Sequence, residues 1–317
     1  MKVAIAIPIY NEQEIIEKCL KIVGDEISKL RKKFEIDIIC VNDGSDDNSF
    51  KIINESDQKL IILSNEVNFG LSEVFNSIMY FVKKNNYEYL IIFDADLQYS
   101  ISDANNLLSY ALNDKIDLLI GSRDFKKSKN FSFIKRKIQI IGSKFISLIL
   151  GEKIFDATSG YRVYSRKAIN SLFTTNSFTY TLETIFQSKE IKLKIGSLKL
   201  SNFFATRKSR LFKSNSEYIY KSLFVLIKSI ILYKKKVLKK IVLVISIPGF
   251  YLLSRFFIPF FNKGYNNGNI QSLIFGSTYL LILLLVILIA FQFVNYIHMM
   301  KKLMLIDFQP KHTLIEK

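Results

Sequence analysis

Residues 89–98 read YLIIFDADLQ, a short apolar run that ends in two aspartates, Asp94 and Asp96. The run predicts a buried strand and a polar turn, because a brief apolar stretch bounded by polar residues fits a sheet interior. Similar runs lie on both sides of it, and amphipathic helical patterns at 14–30 and 71–82 separate some of them. These runs are residues 3–9, 36–41, 60–63 and 118–120. Strands that alternate with helices in this way predict an α/β fold with a mostly parallel sheet.

The two aspartates are the first candidate ligands. Residues i and i+2 of an extended chain face the same side, so the carboxylates of Asp94 and Asp96 can converge on one cation. Carboxylate oxygens suit Mg²⁺ or Mn²⁺, and such an ion would bridge the phosphates of a nucleotide diphosphate. An isolated pair of this kind more often caps a helix or lies in a solvated loop. Its place directly after a strand, where open α/β sheets bind ligands, favours the metal.

Polar residues after the other strands are further candidates. Asp43, in VNDGSDD, is placed to accept a hydrogen bond from a base or ribose, with a turn aspartate beside Gly44 as the alternative. Tyr10 is placed to stack on a base. Arg123 closes the fifth strand and can reach a phosphate, unless it is an ordinary surface arginine.

The motifs IPIYNE, VNDGSDD, FDADLQ, GSR and DATSGYR follow one another along the chain. In this order they resemble family 2 glycosyltransferases of the GT-A fold, whose catalytic domain is Rossmann-like. The chain is most similar to the branch of dolichyl-phosphate mannose synthases and bacterial polyprenyl-phosphate glycosyltransferases, including members with two C-terminal transmembrane helices. No single motif is decisive, but five in sequence are specific. The likeness covers the chain to about residue 215 and, by architecture, its tail.

This resemblance implies inverting transfer of a sugar from a UDP- or GDP-linked nucleotide sugar to an undecaprenyl or dolichyl phosphate, with Mg²⁺ or Mn²⁺ as cofactor. It also implies roles for single residues. The implied catalytic residues are Asp94, Asp96 and Arg123, and the implied metal ligands are Asp94, Asp96 and Gln98. The residues implied to bind the nucleotide sugar are Pro8, Tyr10, Glu12, Asp43, Ala95 and Gln98. Those implied to contact the acceptor and its phosphate are Arg136, Asp156, Ser159, Arg162, Arg207 and Arg210.

Three of these assignments have alternatives. The segment from Asp156 to Arg162 also fits a capped turn. Asn42 stands where the family commonly has a second acidic residue, which matters little if Asp43 makes the contact. The segment RKSR at 207–210 is a shortened form, without glycine, of a later family motif, so Arg207 and Arg210 fit a phosphate or a membrane surface equally well.

The charge of the chain is unevenly distributed. The net charge is +17, but residues 1–120 carry −8, residues 121–240 carry +21 and residues 241–317 carry +4. A basic region that leads into long apolar runs predicts contact with an anionic membrane. Nucleic acid is a less favoured partner for the basic region, because the region leads directly into apolar runs of membrane length.

Two apolar runs, 241–261 and 272–297, are long enough to span a bilayer. The first contains Pro248 and Pro259, so a kinked helix or a re-entrant pair stays open. Several lysines precede the first run and two follow the second, whereas the loop that connects the runs contains one lysine. Because positive residues favour the cytoplasmic side, this distribution predicts that both flanks are cytoplasmic. The predicted organisation is a catalytic domain (1–215), a basic juxtamembrane helix (216–240), two spans (241–261 and 272–297) and a cytoplasmic tail (298–317) at the inner cell membrane. Residues 131–150 predict either an amphipathic interface helix or an ordinary core helix.

Other function classes fit less well. The two histidines lie at 298 and 312, which excludes a histidine-based zinc site or a Ser-His-Asp triad in the N-terminal domain. A processive family 2 enzyme would carry a Q-x-x-R-W motif, and the chain has no tryptophan. A silent membrane scaffold and a nucleotide-binding oxidoreductase are the remaining rivals. The sugar, the lipid length and assembly into a homo-oligomer stay open.

Overall fold

The computed structural model describes residues 1–124, 133–176, 178–200, 215–263, 270–307 and 313–316. In these ranges the strands are β1 (Lys2–Ile9), β2 (Glu35–Asp43), β3 (Leu60–Asn65), β4 (Tyr89–Ile92), β5 (Leu118–Arg123), β6 (Arg162–Ser165), β7 (Ile195–Leu200) and β8 (Thr313–Glu316). The helices are α1 (Ile16–Leu30), α2 (Ser49–Glu55), α3 (Leu71–Lys84), α4 (Asp103–Asn113), α5 (Phe133–Leu150), α6 (Arg166–Ser171), α7 (Tyr180–Glu190), α8 (Asn215–Tyr233), α9 (Lys235–Lys263) and α10 (Ile270–Asp307).

The strands form one mixed sheet in the order β7-β5-β6-β4-β1-β2-β3-β8. The pairs of β1 with β2 and β4, of β2 with β3 and of β5 with β7 are parallel. β6 runs antiparallel between β4 and β5, and β8 runs antiparallel to β3 at the sheet edge. The prediction of a mostly parallel α/β sheet is therefore confirmed, and the short antiparallel strands β6 and β8 are additions to it.

The central strands are buried because helices pack on both their faces, which fits their nearly continuous apolar sequences. In β1, Val3 to Ile7 are fully buried, and α1 turns Ile16, Cys19, Leu20, Val23 and Ile27 toward the same core. Both cysteines, Cys19 and Cys40, are free and buried, as their apolar contexts predict.

Hydrogen bonds join the loops that follow β1 and β2, so these two loops form one unit at the end of the sheet. Asn11 N donates to Ser45 Oγ (3.1 Å) and Glu12 N to Ser49 Oγ (2.6 Å). Gly44, the first residue after β2, has a φ of +62°, and a Cβ at this position would overlap the backbone at Val67. A glycine is needed at this position for its positive φ and for the close passage of the 67–68 backbone.

The chain divides into two compact units, residues 1–226 with 308–317, and residues 227–307. The second unit contains most of α9 and α10, whose apolar parts Val242–Asn262 and Ile270–Ile297 are long enough to cross a membrane. Only 17% and 6% of the most apolar stretches of these two parts are buried, whereas the core helices of a soluble domain are mostly buried. α9 continues through Pro248 and Pro259 as one helix, which disfavours the re-entrant alternative.

Two glycines let α9 and α10 approach closely. A Cβ at Gly249 would lie 2.6 Å from a Leu280 side-chain carbon, and one at Gly276 would lie 3.1 Å from the Gly249 carbonyl oxygen. Next to Pro248, the Tyr279 hydroxyl donates to the Ile245 carbonyl oxygen at 2.7 Å. Small residues at the contact and a side-chain hydrogen bond to the helix backbone are typical of membrane helix pairs.

Candidate active site

Asp94 and Asp96 follow β4 at the carboxyl edge of the parallel strands, and both are half-buried. Asp96 Oδ1 accepts a hydrogen bond from Gln98 N at 3.0 Å, which closes the turn. The Asp94 carboxylate packs against Gly160: a Cβ at this glycine would lie 2.5 Å from Oδ2 and 3.0 Å from Oδ1. Gly160 therefore leaves the space that the Asp94 carboxylate occupies.

The two carboxylates destabilise each other's charged form. Burial, followed by the charge of Asp96, raises the pKa of Asp94 to about 7, although Arg123 and Arg162 oppose the shift. Burial also raises the pKa of Asp96, against the Gln98 hydrogen bond and the charge of Arg123. A pair of repelling, partly desolvated carboxylates is stabilised in its ionised form when a cation lies between them.

Arg123, at the end of β5, is held by a buried carboxylate. Its Nε donates to Asp156 Oδ2 at 2.6 Å, and its Nη2 donates to Asp156 Oδ1 at 3.1 Å and to Thr158 Oγ1 at 2.9 Å. Burial alone would raise the pKa of Asp156, but Arg123 and the Thr158 hydrogen bonds outweigh it and hold this pKa below its ordinary value. The bidentate pair fixes the plane of the guanidinium beside Asp94 and Asp96.

The rest of the DATSGYR segment is structural in this conformation. Ser159 Oγ donates to the Gly121 carbonyl oxygen at 2.5 Å and accepts from the Tyr99 hydroxyl at 2.8 Å. Arg162 is fully buried, and its guanidinium donates to the carbonyl oxygens of Ser159, Ala157 and Thr181 and to Thr184 Oγ1. With Asp156 also fully buried, the structure favours a positioning role for Asp156, Ser159 and Arg162 over the direct acceptor contact that the resemblance implied.

The predicted nucleoside residues lie on adjacent loops. Ile9 pairs with Asn42 in the β1–β2 register, so the next residues, Tyr10 and Asp43, follow neighbouring strand ends. The Asp43 carboxylate accepts hydrogen bonds from Asn65 Nδ2 (2.8 Å), Phe69 N (3.0 Å) and Gly70 N (2.8 Å). A carboxylate accepts about four hydrogen bonds, so the internal bonds leave Asp43 little capacity for a ligand. Its main observed effect is to shape the loop from 65 to 70.

The remaining predicted residues are distributed around this edge. Pro8, Tyr10, Glu12 and Gln98 are half-buried, and the Glu12 carbonyl oxygen accepts from Ile15 N and Ile16 N at the start of α1. The Ala95 methyl group belongs to the core, so only its backbone can face a ligand. Arg136 lies half-buried on α5. Arg207 and Arg210 lie outside the described residues.

Sequence reasoning did not identify three residues that support the site. The Thr158 hydroxyl shares its hydrogen between Gln139 Oε1 and Asp156 Oδ1, both at 3.0 Å, and Ala157 N donates to Ser143 Oγ at 3.1 Å. Gln139 and Ser143 are four residues apart on a largely apolar helix. That spacing was the available signal, because it places two polar side chains on one face.

Solved structures with the same fold include glucosyl-3-phosphoglycerate synthase from Mycobacterium tuberculosis in complex with Mn²⁺, uridine-diphosphate and phosphoglyceric acid. The TM-score is 0.54 at 17% identity, over 73% of this chain and 77% of that chain. The likeness confirms the GT-A fold.

Two curated relatives carry transferase names. The chain is 26% identical over 219 residues to the UDP-N-acetylglucosamine–dolichyl-phosphate N-acetylglucosaminyltransferase of Methanococcus voltae, covering 62% of this chain and 84% of the relative. It is 25% identical over 201 residues to the undecaprenyl-phosphate 4-deoxy-4-formamido-L-arabinose transferase of Proteus mirabilis, covering 61% and 59%. The family model described as glycosyl transferase family 2 matches residues 4–173, more than half of the chain. The chain therefore belongs to glycosyl transferase family 2 and is a glycosyltransferase.

Proposed function

We propose that the protein transfers a sugar from a UDP- or GDP-linked donor to a polyprenyl phosphate, with inversion, at the cytoplasmic face of the inner cell membrane. The observation that carries the proposal is the Asp94–Asp96 carboxylate pair beside the fixed Arg123 guanidinium. The names of the relatives support the acceptor class, because they give dolichyl phosphate and undecaprenyl phosphate as acceptors.

The site fits Mg²⁺ or Mn²⁺. Asp94 and Asp96 supply oxygen ligands whose mutual repulsion a cation relieves, and Gln98 is the third candidate from the resemblance. Within the described part of the chain, no group of three or more His, Cys, Asp or Glu is arranged to hold an ion. Two carboxylates leave coordination positions for the donor's phosphate oxygens, which these ions favour. When bound, the ion supplies charge neutralisation for the departing nucleotide.

The acceptor brings its own nucleophile. A lipid phosphate is an anion, so one of its oxygens can form the bond to the anomeric carbon as the bond to the diphosphate breaks, without a general base. This agrees with a chain whose two histidines both lie beyond residue 297. The protein then contributes orientation and hydrogen-bond donors held in place. Arg123 is oriented for this role by Asp156 and Thr158.

The path of the chain supports the membrane arrangement. The catalytic unit ends at residue 226 and resumes at residue 308, and β8 pairs with β3 in its sheet. An even number of crossings between these points leaves both ends on one side. The lysines at 234–236 and 301–302, against one in the loop between the spans, favour the cytoplasm as that side.

A lipid-labelling assay tests the proposal. Membranes that contain the full chain are incubated with polyprenyl phosphate, Mg²⁺ or Mn²⁺ and a panel of labelled nucleotide sugars. We expect label in the lipid fraction with one donor, lost with a chelator and in Asp96→Ala. Asp57→Ala is the matched control, because Asp57 is an exposed carboxylate after α2. If every donor leaves the lipid unlabelled while a curated relative labels it in parallel, the proposal is refuted.

A further inference from the structure

One face of α5 is apolar and exposed. Ile138, Ile141, Phe145 and Leu148 have 42%, 64%, 48% and 81% of their surface exposed. Steps of three, four and three residues place all four on one side of a helix. We name these four residues the outer stripe. A continuous row of large apolar side chains toward solvent marks an interaction surface.

The opposite face of α5 is polar and bonded. Gln139, Ser143 and Ser147 recur every fourth residue, half a turn of the helix away from the outer stripe. Ser143 Oγ accepts from Ala157 N at 3.1 Å, and Ser147 Oγ accepts from Ile154 N at 3.1 Å. The Thr158 hydroxyl shares its hydrogen between Gln139 Oε1 and Asp156 Oδ1, both at 3.0 Å. We name these three residues the polar ladder. It holds segment 154–158 along about two turns of the helix.

Segment 154–158 carries the partner of the active-site arginine. Asp156, at its centre, binds the Arg123 guanidinium through two hydrogen bonds, and Thr158 adds a third. A rotation or shift of α5 therefore moves Asp156 and Thr158 with the polar ladder, and the Arg123 plane with them. Displacements of about 1 Å at such a distance from the chemistry can cost about a hundredfold in rate.

We propose that the outer stripe lies in the lipid interface and that the polar ladder transmits this docking to segment 154–158, so that membrane contact sets the position of Arg123. The inference rests on the membrane location in the proposed function and adds a positioning role for Gln139, Ser143 and Ser147. The occupant of the stripe is an anionic lipid surface rather than another protein.

Two observations identify that occupant. Lys137 and Lys144 are exposed on α5 near the outer stripe, the arrangement of helices that lie flat on anionic bilayers. The same chain also continues into two unburied apolar helices of membrane length, which bring the catalytic unit to a bilayer. In a symmetric dimer built on this stripe, Lys137 and Lys144 of the two copies would lie close to one another, and their repulsion disfavours a second copy.

Lipid contact is tested with single labelled cysteines in the full chain. The two native cysteines are fully buried, so an environment-sensitive fluorophore reacts selectively at an introduced exposed site. Leu148→Cys is compared with Lys18→Cys, on the exposed side of α1, in vesicles of phosphatidylethanolamine and phosphatidylglycerol. We expect quenchers attached to the lipid chains to quench the label at 148 and not at 18. Equal quenching at both sites, or none at 148, overturns the proposal.

Transmission is tested by amide hydrogen exchange of peptide 152–159 in the same vesicles. Ile141→Asp with Leu148→Asp should expel the outer stripe from the lipid and speed exchange in this peptide about five- to tenfold. Val67→Asp, at an exposed apolar residue on another loop, is the control and should leave the exchange unchanged. Unchanged exchange in the stripe variant means that docking is not transmitted, and the proposal fails.

The role of the ladder is tested by a near-isosteric pair. Gln139→Leu removes the acceptor that α5 offers to Thr158, whereas Gln139→Glu keeps an oxygen at that place. We expect Gln139→Leu to speed exchange of the peptide and to raise the KM for polyprenyl phosphate about fivefold, with unchanged affinity for UDP with Mn²⁺. Gln139→Glu should leave the exchange rate and this KM at their wild-type values. Loss of UDP affinity in step with KM would indicate a general structural role instead. Quenching and exchange need no turnover, so they are decided independently of the transfer assay.

Discussion

Gly160→Ala tests whether the site needs the space that the absent Cβ of Gly160 leaves for the Asp94 carboxylate. The added Cβ would lie 2.5 Å from Asp94 Oδ2, whereas ordinary contacts of this kind begin near 3.4 Å. The carboxylate must therefore retreat by roughly 0.9 Å, since the aspartate side chain is too short to bend away otherwise. The backbone is not the obstacle, because the φ of Gly160 lies outside the left-handed region.

The magnitude follows from the displacement. A shift of about 1 Å in a group that positions the reacting atoms costs about a hundredfold in rate, or about 2.7 kcal/mol of transition-state stabilisation. The loss should appear in kcat and in the metal concentration at half-maximal activity, because Asp94 is a candidate ligand. Folding should change little, since the crowded atoms belong to one side chain at a ligand-facing edge.

The assay is lipid labelling with titrated Mn²⁺, next to thermal unfolding of the full chain in detergent. Gly142→Ala is the matched control, because a Cβ at Gly142 has nothing within 4 Å and alanine favours a helix. The double variant with Asp94→Ala tests the mechanism further. If Gly160 acts only through Asp94, the double variant is no worse than Asp94→Ala alone.

Two results would refute this reasoning. Activity of Gly160→Ala within about threefold of wild type would show that the carboxylate adapts without cost, which contradicts the estimate from displacement. Fully additive losses in the double variant would show that Gly160 serves another group. A large fall in melting temperature for Gly160→Ala but not for Gly142→Ala would move the effect from the site to the fold.

The remaining predictions concern the Arg123–Asp156 ion pair, the turn at Gly44 and the metal. Arg123→Met leaves Asp156 buried without its charged partner, with hydrogen bonds from Thr158 alone, and should lower the free energy of unfolding by about 3–5 kcal/mol at neutral pH. Because the pKa of Asp156 is lowered, the pair's contribution is complete above about pH 4 and is lost as the pH falls further, so the difference between wild type and Arg123→Met should shrink in acid melts. Gly44→Ala should lose about 1–3 kcal/mol of stability, seen in thermal unfolding, since it combines a positive φ with overlap at Val67. Asp96→Asn should raise the Mn²⁺ concentration for half-maximal labelling about tenfold or more, and a chelator should abolish labelling until Mn²⁺ is added in excess.

Much of the fold could be predicted from the sequence because the strands of a buried parallel sheet are almost purely apolar. The five predicted strands are present, and the polar residues after them meet at one edge, as the topology of α/β folds requires. The strand β8 could not be predicted. Thr313–Glu316 is short, follows a long apolar helix, and acquires its strand conformation from pairing with the exposed edge of β3.

The sequence indicated candidate residues for the site but not the partners of their side chains. Asp94, Asp96 and Arg123 lie together, yet no spacing rule shows that Asp156, thirty-three positions after Arg123, occupies that arginine's hydrogen-bonding edge. The same holds for Arg162. Its motif suggested a phosphate contact, whereas tertiary packing surrounds it with carbonyl oxygens. Side-chain partners depend on long-range geometry, which a local pattern does not contain.

The Arg123–Asp156 pair also constrains where the attraction for an anionic acceptor originates. A guanidinium bonded to a fully buried carboxylate has fixed N–H directions, but the pair as a whole carries no net charge. Long-range attraction of a lipid phosphate must then arise from the other cations of residues 121–240, the region with a net charge of +21. Arg136 is a described example on the face of α5 that carries the polar ladder, one turn before Gln139. Attraction and orientation are thus assigned to different residues: the basic region draws the acceptor in, and the neutral, rigid pair aligns it.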